Sequence, residues 1–544
     1  MTVTQADSSD ELQSNDTSEA KPVEGYAVAV SAMVACFLAT LACTLLSGNA
    51  YYHLDDITHY LYAAWSWRWP AYLLNDWGRP GFTIPYAAVA PLGFMACKIL
   101  STVLTSVSAW LAYLVTRRLG FRYAWLAIPL AFAQPVYFLL AQTTLTETPL
   151  AFYLIVAVYL AQRRYWSPAL IILSIAFITR HEAVIFAPVF AWFAYRDQQP
   201  IWKVLLLVTA PVAINFACWL FDQPIPVMKY FEPQPTQQYG HGGWFTFFQR
   251  TLHAWGPTVT VLAMIGVPRL LRDKRNGARL VIVSALAYFF AQVIVFRFGL
   301  FASGGYSRFL IGISPLVAIA AVAGVERLLS THRPTWTRAG LAAAGCMLFL
   351  WLALERQLVL QGGQDIEMAV IHYAVWAIRI SSWSLAGLAL IMFVLSRMKC
   401  WPLVARSLVP AGLVVILSLT VYGLHRPLRP TPDAQLVDKM LVELKRLGLA
   451  DREVVSAHPF IDLRTGRAMP AQRPTTVGLI EATPVGSLVA WERQFAGGED
   501  HGVDLEWFAL SPSFRRVLAT EPLPFRDVPY LYVFEKVAPW QAPR

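Results

Sequence analysis

Apolar residues in this chain come in long blocks. They do not alternate as in a half-buried strand, nor form the one-sided stripe of a soluble helix. A membrane span needs roughly 20 apolar residues. Residues 26–46 meet that length, and a polar, aromatic loop follows over 47–82. Further blocks cover 83–115, ending at Thr116-Arg117-Arg118, and 123–141, ending at the polar link 142–147. The block 148–161 is stopped by Arg163-Arg164. Others lie at 202–221, 255–271, 280–296, 309–325, 340–354, 382–396 and 409–424. The block 168–195 differs, because Arg180-His181-Glu182 divides it into two halves. At 1.5 Å per residue it is too short for two spans. It predicts a broken, re-entrant pair of half-helices, which is tolerated where it lines a protein-enclosed cavity. The pattern predicts a mainly α, polytopic transmembrane helical bundle of about 11–13 segments.

The two ends read differently. Residues 1–25 are polar and acidic, which predicts a disordered tail and excludes the n-region of a signal peptide. Residues 426–544 are polar, with strand-like runs at Val454-Val455-Ser456 and 530–534 and a helical pattern around 434–447. They predict a small C-terminal α/β domain, with 26–425 as the membrane domain.

Composition agrees with the block pattern. Hydrophobic residues make up 56% of the 544 residues and charged residues 14%, against about 25% charged in an average soluble domain. A soluble enzyme and a secreted disulfide scaffold are excluded. The net charge of +10 is spread along the chain between apolar blocks, so it is no nucleic-acid footprint. Its basic residues gather in alternate loops: Arg117, Arg118 and Arg122; Arg163 and Arg164; Arg196 and Lys203; 272–279; 327–338; 397–406. The positive-inside rule predicts these loops, and the N-terminal tail, on the cytoplasmic side of the inner (plasma) membrane. The C-terminal domain and every chemically unusual loop then fall on the extracytoplasmic side. The six cysteines show no metal-ligand spacing.

That face holds the candidate chemistry. In the first loop, Asp55 and Asp56 are adjacent, and on a helix Asp55 lies one turn before His59 while Asp56 faces His59 and Tyr60. Either aspartate suits an N-cap of a helix starting at Ile57. Either also suits a general base toward an acceptor hydroxyl or amine. A divalent ion, Mg or Mn, at Asp55 and Asp56 is chemically compatible, but nothing in the sequence requires a cofactor. Gly78-Arg79-Pro80-Gly81 is a rigid turn presenting an arginine either to a phosphate or to the membrane interface. Glu147 closes a tight link before Pro149, as a dipole-favoured helix-start acid or as a functional one. Arg180, His181 and Glu182 form either a structural ion pair or a ligand-facing cluster. Tyr306 and Arg308 follow a glycine turn and open a late apolar block, where a helix N-terminus and a fixed charge add up to an anion site. Walker, Rossmann and zinc-protease patterns are missing from the sequence. A donor on that face must arrive without soluble nucleotide, and a lipid phosphate carrying a sugar meets that condition.

The acidic pair Asp55-Asp56, the second acid Glu147 and the run Arg308-Phe309-Leu310 followed by Pro315 resemble the integral-membrane glycosyltransferases of the GT-C fold. The bacterial branch similar to protein O-mannosyltransferases and aminoarabinose transferases is the nearest in pattern, over about residues 26–329. The family often has Asp-Glu at the acidic pair, and its Lys-Pro-Pro stretch is represented here only by Gly78-Arg79-Pro80-Gly81. The resemblance implies a polyprenyl-phosphate-linked sugar donor, a lipid, glycan or protein acceptor, and inverting transfer. It implies that Asp55 or Asp56, with Glu147, is catalytic and that Arg308, joined by Arg79 or Arg180, binds the donor phosphate. His59, Tyr60, His181, Glu182 and Tyr306 would line the substrate. The alternatives are a polytopic transporter, against which no internal repeat is visible, and a non-catalytic envelope-assembly protein.

Overall fold

The computed structural model describes residues 25–232, 240–330, short helical stretches within 380–416, and 425–542 apart from 470–474, 494–495, 498–502 and 524–527. Residues 1–24 of the predicted tail, all of the predicted segment 340–354, most of 409–424 and the end of 382–396 lie outside the described residues.

The described chain is mainly helical. It opens with α1 (Tyr26–Leu46), α2 (Leu54–Trp65), α3 (Pro80–Ala87) and α4 (Phe94–Arg118). It continues with α5 (Ala127–Phe132), α6 (Pro135–Leu140), α7 (Glu147–Gln162), α8 (Trp166–Thr179), α9 (Phe186–Arg196) and α10 (Thr209–Leu220). Then come α11 (Thr246–Ala254), α12 (Pro257–Arg272), α13 (Asn276–Arg297) and α14 (Ser314–Ser330). Among the described residues five helical stretches are long and apolar enough to cross a membrane, or six if α11 and α12, bent by 116°, form one span. The chain is a multi-pass membrane protein.

Two apolar blocks break up. The block 83–115 divides at the tight turn 88–93, where Gly93 has φ +102°, and only α4 has spanning length. The block 123–141 becomes α5 and α6. Pro135 starts α6 and forces Gln134 out of the helical region (φ −78°, ψ 118°). The charge cluster at 180–182 breaks its block as expected. α8 stops at Thr179, Arg180 is extended (φ −149°, ψ 127°) and a short 3-10 turn, His181–Ile185, leads into α9. With 14 and 11 residues, neither helix alone crosses a core of about 30 Å.

The tightest helix pair is α12 with α14. A Cβ on Gly266 would meet the Ala320 carbonyl at 1.9 Å, and one on Gly324 the Leu262 carbonyl at 1.9 Å. Small residues let the two backbones touch, the usual means of packing helices that gain nothing from excluding water.

The C-terminal part folds around α15 (Pro432–Arg446), whose cap is Thr431, its Oγ1 accepting from the Ala434 amide at 3.4 Å. Four strands, β1 (Val454–Ser456), β2 (Leu488–Glu492), β3 (Phe514–Ala519) and β4 (Leu531–Lys536), form a mixed sheet in the order β1-β2-β4-β3. β1 and β2 run parallel and the other pairs antiparallel. Its core is continuous with the first loop: Leu54, Ile57, Leu61 and Trp65 of α2 pack in one cluster with Val437, Phe460 and Val533.

Candidate active site

Four stretches far apart in sequence meet at one charged cluster: the first turn of α2, the link before α7, the break after α8 and the turn entering Ser307–Ile313. α2 begins at Leu54, and its N-cap is His53, whose Nδ1 accepts from the Asp55 amide at 3.2 Å. The expectation that Asp55 or Asp56 caps a helix from Ile57 is therefore corrected. The His53 ring already satisfies the orphan donor, and both aspartates sit inside the first turn, where the helix dipole favours them.

The two carboxylates part company. Asp55, 31% exposed, lies 2.8 Å from Arg308 Nη2 and 3.1 Å from His53 Nδ1. Burial alone would raise the Asp55 carboxyl, but the charges of His53 and Arg308 override it and hold the group well below the ordinary carboxylate range. Asp56 is fully buried and accepts from the amide and hydroxyl of Thr144 and, at 3.3 Å, from the Tyr52 amide. Burial raises its carboxyl, and those bonds together with the Lys98 charge offset only part of that. Asp56 thereby pins the link 143–147 against α2.

Pinning the link places Glu147. Its Oε1 lies 2.6 Å from Arg180 Nη1 and 3.6 Å from Arg308 Nε. Arg180 Nη2 reaches Glu182 Oε1 at 2.7 Å. The result is an unbroken string of alternating charge, His53–Asp55–Arg308–Glu147–Arg180–Glu182. Tyr306 and Phe309 wall it, with the Arg308 guanidinium 5.1 Å from the Tyr306 ring and that of Arg180 4.9 Å from Phe309. Glu147 Oε2 and Arg180 Nε are buried without a hydrogen-bond partner.

A second group adjoins it. Arg79 holds a left-handed backbone, φ +61°, at the start of α3, a conformation costing on the order of 1–3 kcal/mol for a non-glycine residue. Its Nη1 meets His181 Nε2 at 2.7 Å. That nitrogen lies 3.2 Å from Asp76 Oδ1, and Lys229 Nζ lies 3.0 Å from Asp76 Oδ2. Gly81 makes this possible, because a Cβ there would strike Thr179 Oγ1 at 2.2 Å and push α3 off α8. His59 stacks on Trp77 at 5.0 Å, and its Nδ1 is buried without a partner. Burial pushes its ring down to about 3, so it is neutral near pH 7.

Of the candidates read from sequence, Asp55, Glu147, Arg180, Glu182 and Arg308 meet in the string, with Tyr306 walling it and His59, Arg79 and His181 beside it. Asp56 braces it from behind. Tyr60 packs against Phe94 at 5.2 Å instead. At 100° per residue it sits about 140° around α2 from Asp55, whereas His59 sits about 40° away. Sequence reasoning missed His53, Asp76 and Thr144 as partners. Asp76 had a signal, lying three residues before Arg79 in one polar run; Thr144 had none. Among the described residues no group of three or more His, Cys, Asp or Glu side chains is placed to hold a metal ion.

No protein-family model and no curated protein sequence matches the chain. Solved structures do. ArnT from Cupriavidus metallidurans in the apo state superposes with a TM-score of 0.59 at 12% identity, covering 95% of this chain and 99% of that one. The same protein bound to undecaprenyl phosphate gives a TM-score of 0.56 at the same identity and coverage. The likeness is one of fold: the chain has the ArnT arrangement, a GT-C fold, as the resemblance implied.

Proposed function

We propose that the chain is an integral-membrane glycosyltransferase that moves a sugar from a polyprenyl-phosphate donor to an acceptor on the extracytoplasmic face. The observation that carries this reading is the string Asp55–Arg308–Glu147–Arg180, built from four separate elements. Its support is the fold shared with ArnT, one structure of which holds undecaprenyl phosphate.

Arg308 is the pivot. Without donor it holds Asp55 and lies near Glu147. A guanidinium carries five N–H donors in a fork that fits phosphate oxygens in pairs. An arriving donor phosphate competes for that fork and releases Asp55, whose carboxyl then rises toward its ordinary range and becomes a better base. The acceptor hydroxyl attacks the anomeric carbon from the face opposite the phosphate. Its proton passes to Asp55, the C1–O bond to phosphate breaks, and the bonding pair leaves on the phosphate oxygen. A single displacement inverts the anomeric centre. Arg308, Arg180 and Arg79 stabilise the charge that builds on the leaving oxygen, a term on the order of several kcal/mol. Glu147 and Glu182 hold Arg180 in place. The arginines supply the positive charge that a divalent ion would otherwise give, so transfer should survive treatment of the membranes with a chelator.

The direct test follows a labelled polyprenyl-phosphate sugar in membranes bearing the protein. Label should pass to an acceptor fraction with wild type and not with Asp55→Asn. Full transfer by Asp55→Asn would remove the base assignment. Movement of the intact donor across the bilayer without transfer would favour a transporter.

A further inference from the structure

A pocket of about 530 Å³ lies away from the charged string, between the end of α1 and the C-terminal part. One wall is the turn 46–50, another the segment 426–430, and a third Asp438, Phe460 and Arg464. We propose that it binds a phosphate-bearing group, carried by the headgroup of an anionic membrane lipid.

Four observations support this. The first is charge: the walls bring three arginines, Arg426, Arg429 and Arg464, against the single acid Asp438. Arg464 Nε already pairs with Asp438 Oδ1 at 2.8 Å. Arg426 and Arg429 are exposed and make contacts of their own, and their charge is not offset by a second acid in the pocket lining. The second is a shortage of competing acceptors, since Lys98 Nζ takes the Gly48 and Ala50 carbonyls of the turn at 3.0 and 2.9 Å.

The third is rigidity. Residues 425–431 are neither helix nor strand, and Pro427 and Pro430 each fix a backbone φ. Arg426 and Arg429 both line the pocket from this segment. The segment is tied down as well: Gln142 Nε2 donates to the Arg426 carbonyl at 3.3 Å, and Gln142 Oε1 accepts from the Leu428 amide at 3.2 Å. A backbone tied in this way loses less entropy when its arginines engage a ligand.

The fourth is position. α1 is a peripheral span, and at its end Leu45 and Leu46 are 52% and 75% exposed. The pocket opens where that apolar helix leaves the hydrocarbon, at headgroup level. On the sidedness of the proposed function, on which this last point rests, arginines at an outer helix end run against the positive-inside tendency and call for an anionic partner.

The test uses the full-length protein in detergent and native mass spectrometry, titrated separately with phosphatidylglycerol, phosphatidylcholine and inorganic phosphate. Wild type should retain phosphatidylglycerol in preference to phosphatidylcholine. The pair Arg426→Gln and Arg429→Gln should weaken phosphatidylglycerol about tenfold, and Arg516→Gln, an exposed charge elsewhere on the C-terminal part, should not. Arg464→Gln, which leaves Asp438 uncompensated, gives an independent loss should the double variant fold poorly. Phosphatidylglycerol bound and inorganic phosphate not bound assigns the lipid. Inorganic phosphate bound as well, and lost in the variants, upholds the phosphate site and overturns the lipid as its source. Equal phosphatidylglycerol binding by wild type and variants overturns the site. Transfer is not read, so the outcome does not depend on whether the chain is a transferase.

Discussion

Two carboxylates, the part-exposed Asp55 and the buried Asp433, serve opposite ends. Asp433, at the start of α15, accepts from the Tyr51 hydroxyl at 2.5 Å and lies 3.6 Å from His458 Nε2. Tyr51 and His458 are fully buried, and no arginine or lysine pairs with Asp433 among the described residues. That contact fastens the C-terminal part to the loop leading into α2, helped by Trp65 Nε1 donating to the Arg467 carbonyl at 3.2 Å. Asp55 sits instead in a string of full charges whose members include buried atoms without partners. A neutral-donor contact of this kind fixes the relative placement of two parts of the chain, whereas a cluster of opposed full charges is the arrangement on which the proposed donor site rests.

The sharpest way to break that contrast is the same substitution at both acids. Asp55→Asn should cut transfer by about 10²–10⁴-fold, the usual size of a lost general base, a loss far out of proportion to any fall in melting temperature. Asp433→Asn should lower the melting temperature and leave the transfer rate of the folded protein close to wild type. Reversal of either result would dissolve the distinction.

Arg308→Gln comes next. It should cost transfer heavily and also move the pH profile. Arg308 depresses the Asp55 carboxyl, so its removal raises that group and shifts the acidic limb of kcat/KM to higher pH. An acidic limb that stays in place would mean that another group titrates there.

Tyr51→Phe should destabilise the fold by about 1.5–3 kcal/mol, as for a bond to a charged group. Burial opposes ionisation of Asp433, but His458, Thr431 and Tyr51 together lower its carboxyl. A lowered carboxyl contributes stability that is full above its unfolded value and lost as pH falls through the folded one. The gap between wild type and Tyr51→Phe in thermal unfolding should therefore be widest near neutral pH and close on acidification. The smallest effect is expected of Lys229→Ala. That lysine is 52% exposed, and such a pair contributes about 0–1 kcal/mol.

Much of the fold was legible. The first span, the break at Arg180 and the strand at 454–456 all follow from local pattern. The segment 123–141 was not, because block hydropathy does not distinguish a span from short buried helices parted by a proline. Within the site, the residue types were legible and their division of labour was not. Asp55 and Asp56 are neighbours of identical chemistry, and the 100° step between them on the helix sends one toward Arg308 and the other toward Thr144. His53 as a cap was hidden too, since a histidine is an uncommon cap beside two aspartates.

The sequence by itself determined that this chain lives in a membrane, and which acids and arginines stand outside its apolar runs. Both are properties of short stretches, set by the transfer of each residue between water and hydrocarbon. Only the tertiary structure decided that Asp55 meets an arginine 253 residues away and Asp56 a threonine 88 residues away. Those contacts depend on packing between helices, which no single stretch of sequence encodes.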